Sequence, residues 1–405
     1  MRGPPARWTS PAGGVRAPSP AGPAVDLRLV VPGSLGYSSG GNVYNARLAS
    51  ALAALGVRVE TVEVPGAWPV GSPAERASLA AALGVPSATA HDGASPARAA
   101  ASPDAVLVDG LLALGAPEEV RAAAASGPAR LGILVHMSLP DAPGLTPEGR
   151  RRLAALERAS LAAPDAVIVP SSFAARRLAE RYGTRARVAR PGVVRAPVSP
   201  GSLAAGAPPH LLCLAALLPG KRQLRIVRAL AGLARLPWTA TLAGHDAADP
   251  DYARAVRDEV RRLGLEDRIE VPGELRGAEL DQEWARADLT LLASESETFG
   301  LVVAESLARG VPAVVPAGTG AAEALALSLE GGLGAAGTAV REEDPAAGGD
   351  PLRSETAQWL ASAEVRARWR AAALAARPLL PGWDAAARAV LGALSPASAG
   401  SSGTR

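Results

Sequence analysis

Short apolar runs alternate with amphipathic stretches along the chain from Asp26 to Leu394. The short runs are bounded by glycine, proline or polar residues, which is typical of strands buried on both faces. Strands are predicted at 26–31, 57–64, 105–108, 131–135, 166–169, 210–214, 238–243, 268–271, 288–293 and 311–316. The clearest helices are predicted at 43–55, 224–233, 252–263, 280–287 and 383–394. This alternation predicts parallel sheets with helices on both faces.

A stretch rich in proline, glycine, serine and alanine from Arg190 to Gly206 is the best candidate for a domain boundary. A chain of 405 residues is long enough for two domains. We therefore predict two doubly wound, Rossmann-like α/β domains that face each other across a cleft. The predicted divisions are a disordered leader at 1–24, an N-terminal domain at 25–195, a C-terminal domain at 205–378, a helix at 379–394 and a disordered tail at 395–405.

The composition excludes several classes of protein. A net charge of +3 argues against nucleic acid as a partner. The single cysteine, Cys213, excludes an internal disulfide, and the four histidines lack the spacing of metal ligands, so we predict neither a metal site nor a cofactor. No apolar run approaches the roughly 18–20 residues of a membrane span, and the leader has no apolar core of the kind found in secretory signals. The predicted location is the cytoplasm.

The stretch from Ser294 to Glu323 carries the clearest chemical pattern. It reads as a polar loop, a helix, a strand, a glycine loop and a second helix, and two acids, Glu297 and Glu305, frame the first helix. The free N–H groups at the start of that helix, near residues 299–301, form a ready anion site. Carboxylates repel phosphate but accept hydrogen bonds from sugar hydroxyls. The combination indicates a ligand that is part sugar and part phosphate, such as a nucleotide sugar.

A second cationic element lies before a predicted helix, in the loop that contains Lys221 and Arg222. All the other basic residues of the chain are arginine, although a solvated surface lysine would be the ordinary interpretation. An ammonium group differs from a guanidinium because it is a compact charge that fits between phosphate oxygens. We therefore predict that Lys221 binds phosphate.

The N-terminal half offers candidates at the carboxyl ends of its strands, where doubly wound sheets bind ligands. A glycine-rich loop at 32–41 follows the first strand, but it lacks the Gly-x-Gly-x-x-Gly pattern of nicotinamide-binding proteins. The only asparagines, Asn42 and Asn45, lie at its end, where Asn42 could be a helix N-cap or either could contact a ligand. His136 and, as a weaker candidate, Asp109 follow later strands at the same edge.

Several of these motifs together resemble the retaining family-four glycosyltransferases of the GT-B fold. The resemblance rests on Glu297-Thr298-Phe299-Gly300, on Glu305 eight positions after Glu297, and on Gly310-x-Pro312. The segment from Gly320 to Glu323 resembles the family's Gly-Gly-x-x-Glu, with Thr319 in place of the first glycine.

The resemblance implies a metal-independent transfer from a nucleoside-diphosphate sugar to an unidentified acceptor. It implies that the domain at 25–195 binds the acceptor, that the domain at 205–378 binds the donor, and that the helix at 379–394 crosses back to the N-terminal domain. It implies His136, Lys221 and Glu297 as catalytic residues. It also implies that the donor is bound by Gly40, Gly41, Lys221, Glu297, Phe299, Gly300, Leu301 and Glu305. Arg222 does not match a family position, but it adjoins Lys221 and is predicted as a second cation for the diphosphate. In this scheme Glu305 binds the ribose, Glu297 binds the sugar, and Lys221 with the helix end at Gly300 binds the diphosphate.

Two alternatives stay open beside this hypothesis. Family members commonly carry an arginine about five residues before the lysine, where this chain has Ala216, so a catalytically weak nucleotide-sugar-binding protein is a second interpretation. The arginines of two predicted helices, at 150–152, 158, 176 and 177, could give weak attachment to a membrane surface, although solvated helix faces are the commoner arrangement. A nicotinamide-dependent oxidoreductase is disfavoured, because Glu323 stands where a third glycine would be needed. The sequence identifies neither the acceptor nor the donor base.

Overall fold

A computed structural model describes residues 25–33, 39–86, 103–128, 130–342 and 349–395. The predicted leader, the tail from residue 396 onward and the middle of the glycine loop lie outside the described residues. Within the described ranges, the chain forms two parallel sheets of six strands each, with helices packed on both faces. The predicted fold class is confirmed: the protein has two Rossmann-like α/β domains.

The first sheet has the strand order β2-β1-β3-β4-β5-β6. Its central strand β3 is buried along its whole length, because helices cover both faces of the sheet. The strands are β1 (Asp26–Pro32), β2 (Arg58–Val64), β3 (Ala105–Asp109), β4 (Leu131–Leu134), β5 (Ala166–Val169) and β6 (Arg187–Val188). The helices are α1 (Gly40–Ala54), α2 (Pro73–Ala82), α3 (Gly110–Ala113), α4 (Pro117–Ser126), α5 (Pro147–Ser160) and α6 (Ser172–Tyr182).

The second sheet has the strand order β12-β11-β10-β7-β8-β9, which is the order of a dinucleotide-binding domain. Its strands are β7 (His210–Leu214), β8 (Thr239–Ala243), β9 (Ile269–Gly273), β10 (Leu289–Leu291), β11 (Ala313–Pro316) and β12 (Gly337–Val340). Its helices are α7 (Gln223–Ala231), α8 (Pro250–Arg262), α9 (Gly277–Arg286), α10 (Leu301–Ala308), α11 (Gly320–Ala326), α12 (Pro351–Ala361) and α13 (Ala363–Ala376).

The last helix, α14 (Trp383–Leu394), follows the second domain in sequence but packs against the first. Val390 and Leu394 are buried in the same apolar cluster as Leu107 of β3. The Trp383 ring meets the Tyr44 ring edge to face, with 5.2 Å between the ring centres. This helix therefore ties the end of the chain to the N-terminal domain.

Helix α1, at the domain interface, begins earlier than the sequence predicts. Helix α1 starts at Gly40 rather than Val43, because the side chain of Ser39 accepts a hydrogen bond from the Asn42 N–H and acts as the N-cap. Asn42 is therefore not the cap. Helix α10 starts at Leu301, within the stretch 299–301 where the sequence places its N-terminal N–H groups, and Phe299 lies in the loop before it. No helix of the described ranges combines the length and apolar character needed to cross a bilayer.

Candidate active site

The strand orders bring two sets of loops to the domain interface. The direction of chain crossover reverses between β1 and β3 in the first sheet and between β7 and β10 in the second. In open α/β sheets, ligands bind beyond the carboxyl ends of the strands at such a reversal. Asp109 is the last residue of β3, and the segments that follow the other three strands carry Gly40, Asn45, Lys221 and Glu297. Most of the residues singled out in the sequence therefore lie at the two points where ligand binding is expected.

Lys221 and Glu297 form an ion pair, with 2.6 Å between Lys221 Nζ and Glu297 Oε1. Their side chains are 29% and 15% exposed, so the pair is accessible to a ligand but partly shielded from water. The two loops are also joined through the backbone, because the Glu295 N–H donates to the Gly220 carbonyl at 2.9 Å. The sequence predicts both residues as ligands of one donor, and the fold places them in direct contact.

Gly300 sets the start of α10 through its backbone. Its φ of 83° lies in the left-handed region, which favours glycine. A Cβ at this position would also lie only 3.1 Å from Ala321 Cα, so a larger residue would be crowded. Leu301 comes next, and its Cδ1 lies 3.6 Å from the position of a Cβ at Gly40. The N-terminal ends of α1 and α10 therefore meet across the two domains.

Phe299 contributes to this site only through its backbone. Its side chain is 3% exposed and packs in the apolar cluster of Val303 and Leu307. Because its ring fills the core, we infer that the predicted donor contact of this residue is restricted to main-chain atoms.

Glu305 lies on α10 and faces the first domain. Burial raises the pKa of its carboxyl group above the ordinary value, while the positive charges of Arg309 and of Arg47 on α1 lower it in part. Within the part of the chain that the structure describes, no hydrogen bond reaches this carboxylate. Two acceptor oxygens are thus held in a desolvated position, which suits the recognition of a ligand hydroxyl pair.

His136 belongs to a polar cluster that the sequence revealed only in part. His136 Nε2 lies 2.9 Å from Asn45 Oδ1 and 3.4 Å from Asp109 Oδ2, and Asn45 Nδ2 donates to Asp109 Oδ2 at 2.5 Å. Burial acts to raise the pKa of the Asp109 carboxyl group, but His136, Asn45 and the Leu111 N–H hold it below its ordinary value. A Cβ at Gly41 would lie 3.1 Å from His136 Cδ2, so this glycine makes room for the ring.

Arg222 has other partners. Its Nε bonds Glu295 Oε1 at 2.9 Å and its Nη1 bonds Glu342 Oε1 at 2.8 Å. The guanidinium group, predicted as a second cation for the diphosphate, is therefore paired with two carboxylates in this structure.

Glu323 joins the two domains, a role that the sequence pattern did not reveal. Its carboxylate accepts hydrogen bonds from the N–H groups of Ser172 and Phe173 at 3.0 and 2.9 Å, and it pairs with Arg190 at 3.0 Å. An acid of α11 thus caps the N-terminus of α6 in the other domain. Beside it, the Ser171 hydroxyl donates to the Thr298 carbonyl, which connects α6 to the loop that carries Glu297.

The comparisons with known proteins agree with this geometry. The model described as "Glycosyltransferase Family 4" matches residues 38–196, and that described as "Glycosyl transferases group 1" matches residues 199–373. The chain belongs to the group 1 glycosyltransferase family. The two matches meet between the two sheets, so each covers one Rossmann-like domain.

Two proteins named "D-inositol 3-phosphate glycosyltransferase" are similar to this group 1 family member in sequence. The protein from Xylanimonas cellulosilytica is 32% identical over 62% of this chain and 61% of its own length. The protein from Kineococcus radiotolerans is 30% identical over 44% of this chain and 45% of its own length. The match therefore spans less than two thirds of either relative.

Two solved glycosyltransferase structures share the fold. Sucrose-phosphate synthase from Thermosynechococcus elongatus superposes with a TM-score of 0.70 at 17% identity, over 90% of this chain and 98% of its own. Anabaena HepE, solved in complex with UDP and glucose, gives a TM-score of 0.62 at 18% identity, over 91% of this chain and 99% of its own. Both likenesses support the GT-B arrangement of this family member.

A cavity of about 360 Å³ opens between the two domains beside the Lys221–Glu297 pair. Its two acids are already neutralised, because Asp141 pairs with Arg181 and Glu295 pairs with Arg222. The lining residues are Val135, Met137, Ser138, Asp141, Arg150, Phe173, Ala174, Arg177, Leu178, Glu295, Ser296, Thr298, Gly318 and Thr319. Since Arg150 and Arg177 have no acidic partner among the described residues, the cavity carries excess positive charge.

The interdomain role of Glu323 gives a prediction for this family member. Glu323→Ala removes the cap of α6 and the pairing with Arg190, so we expect a loss of about 1–2 kcal/mol of stability near neutral pH. The folded-state pKa of Glu323 is lowered overall, with burial opposing the hydrogen bonds from Ser172 and Phe173. Its contribution is therefore present above its unfolded pKa and is lost as pH falls through the folded value.

Urea unfolding at pH 7.5 measures this effect. Glu364→Ala is the matched control, because it removes an exposed acid from the first turn of α13. Equal stability changes in the two variants would show that Glu323 does not couple the domains.

Proposed function

We propose that the protein transfers a sugar from a nucleoside-diphosphate sugar to an acceptor, with retention at the anomeric carbon and without a metal ion. The observation that carries this proposal is the Lys221–Glu297 pair, 2.6 Å apart, beside the N-terminal end of α10. The Lys221 ammonium group can bind phosphate oxygens, and the Glu297 carboxylate can accept hydrogen bonds from sugar hydroxyls. The sequence family and the complex of HepE with UDP and glucose support a nucleotide-sugar donor.

In the proposed complex, the ribose hydroxyls bond Glu305 and the sugar hydroxyls bond Glu297. The diphosphate lies between Lys221 and the N–H groups at the start of α10. The anomeric carbon–oxygen bond breaks and its electron pair remains on the departing diphosphate, so negative charge grows there. A fixed ammonium group and helix N–H groups stabilise that charge, each by on the order of 3 kcal/mol in comparable sites.

The first domain supplies the other wall of the site. His136 and the Gly40–Gly41 turn face the transferred sugar, and domain closure brings them against the donor bound to the second domain. We place the acceptor in the interdomain cavity. Arg150 and Arg177 favour an acceptor that carries phosphate, in keeping with relatives named as inositol 3-phosphate glycosyltransferase and mannosylfructose-phosphate synthase. We propose the cytoplasm as the location, with any membrane attachment weak.

A donor screen tests this function. The purified protein is incubated with UDP-, GDP- and ADP-sugars, with and without phosphorylated polyols, and release of the nucleoside diphosphate is measured. We expect slow hydrolysis of one donor class and faster release when an acceptor is present, both unchanged by a chelator. Donor binding without any release would support the second candidate, a non-catalytic nucleotide-sugar-binding protein. That candidate is favoured by Ala216 and by the pairing of Arg222 with Glu295 and Glu342.

A further inference from the structure

We propose that Asn45 and Asp109 are positioning residues that hold His136 with a proton on Nε2, leaving Nδ1 as the acceptor for a hydroxyl of the transferred sugar. The sugar contact rests on the proposed function, whereas the protonation pattern of the ring follows from the cluster itself. Asn45 and Asp109 are 5% and 3% exposed, so the protein interior supplies their partners.

Asp109 fixes the orientation of the Asn45 amide. The Asp109 carboxyl group stays ionised because its pKa is held low, so its oxygens act as acceptors. The Asn45 atom 2.5 Å from Asp109 Oδ2 must then be the amide nitrogen, since an oxygen there would bring two acceptors into contact. The reverse orientation is excluded, and Asn45 Oδ1 is left facing His136.

Asn45 and Asp109 together fix the proton on the histidine ring. His136 Nε2 faces Asn45 Oδ1 at 2.9 Å and Asp109 Oδ2 at 3.4 Å, and both are acceptors. Nε2 must therefore be protonated. When the ring is neutral it carries a single N–H, so its lone pair is on Nδ1, whereas a doubly protonated ring has no acceptor nitrogen.

The ring is also held in place by its neighbours. The Tyr44 ring meets the imidazole edge to face at 5.1 Å, and the Tyr44 hydroxyl is anchored on the Ala189 carbonyl at 2.8 Å. Across the described residues, Nδ1 has no protein partner. The His136 side chain is 16% exposed, and its ring lies beside the start of α1, with Cδ2 3.1 Å from the position of a Cβ at Gly41. Nδ1 is thus a fixed acceptor available to a ligand hydroxyl, and a proton on Nδ1 instead would remove that acceptor.

Nitrogen NMR of the imidazole rings in the full chain tests the protonation pattern without any activity measurement. His136→Ala assigns the resonance among the four histidines. We expect the Nε2–H form in the wild type at pH 8 and an increased fraction of the Nδ1–H form in Asp109→Asn, in which the Asn45 amide is free to turn. Wild-type protein with the proton on Nδ1 would overturn the proposal.

A double-mutant cycle tests the role in turnover. Asn45→Leu keeps the side-chain volume but removes the acceptor, so we expect kcat to fall at least tenfold in the wild-type background and to change little in the His136→Ala background. Equal losses in both backgrounds would show that Asn45 acts on the structure generally, and this outcome would overturn the proposal. Asp288→Asn is the control for Asp109→Asn in the NMR measurement. It also removes a buried carboxylate, but Asp288 lies before β10 in the second sheet, whereas Asp109 ends β3 in the first.

The two proposals fail separately. Wild-type protein that turns over no donor would contradict the proposed function, and the NMR result would still decide the protonation of His136. Wild-type protein that turns over donor with an Asn45→Leu variant of equal kcat would contradict only the positioning role.

Discussion

Lys221→Met is expected to lower kcat for release of the nucleoside diphosphate by about 10²- to 10³-fold, the loss typical of removing one group that stabilises developing negative charge. Methionine keeps much of the side-chain length but removes the ammonium group, so the departing diphosphate loses its fixed cation. The loop itself is held by backbone hydrogen bonds, including the one from Glu295 N–H to the Gly220 carbonyl, and should keep its conformation.

Quenched time-course assays of diphosphate release measure the change in kcat, and circular dichroism checks that the variant is folded. Lys221→Arg should recover only part of the activity, because a planar guanidinium does not reproduce a compact ammonium charge. Arg228→Met is the control, since it removes an exposed cation that pairs with Glu259 on a helix surface. Normal turnover in a folded Lys221→Met variant would mean that the diphosphate lies elsewhere.

Glu305→Gln is expected to weaken donor binding by roughly 10- to 100-fold, because hydrogen bonds to a charged acceptor contribute about 1.5–3 kcal/mol. The same substitution should not destabilise the protein. Burial raises the pKa of Glu305 in the folded state, so the ionised carboxylate lowers stability as pH rises through that value. Glutamine removes this cost, and the variant should therefore unfold at the same or a higher temperature than the wild type at pH 8.

Calorimetric titration with the nucleoside diphosphate measures the affinity of the Glu305→Gln variant, and thermal unfolding at two pH values measures its stability. The stability gain should be present at pH 8 and small at pH 3.5, below the ordinary pKa of a glutamate, where Glu305 is largely protonated in both states. Glu279→Gln, an exposed acid in the first turn of α9, serves as the control. Unchanged affinity in Glu305→Gln would remove this residue from the donor site.

The sequence predicted the fold well because the central strands, such as β3, β4 and β5, are buried along their whole length. The run at 105–108 is apolar throughout for this reason, and it matches β3 closely. Helix α14 has the predicted bounds because Gly382 and Ser395 flank an amphipathic pattern. The strands β6 and β12 were not predicted, since β6 has only two residues and β12 has mixed burial, and neither gives a clear apolar run.

The site was only partly predictable, because its contacts join residues far apart in the chain. The composition drew attention to Lys221, and local motifs to Glu297 and Glu305, but no local pattern states that Glu323 caps a helix of the other domain. The distribution of asparagine pointed to Asn45, yet its partner Asp109 is 64 residues away, and the two are brought together only by the pairing of β1 with β3. Phe299 was predicted at the donor from its motif, whereas its side chain fills the core.

A crystal structure with a bound nucleoside diphosphate is the most direct test of the central claim that the donor lies between the two domains. We expect Lys221 Nζ to leave Glu297 for a phosphate oxygen and Glu305 to accept hydrogen bonds from the ribose hydroxyls. A nucleotide bound away from α10, with the Lys221–Glu297 pair intact, would contradict it.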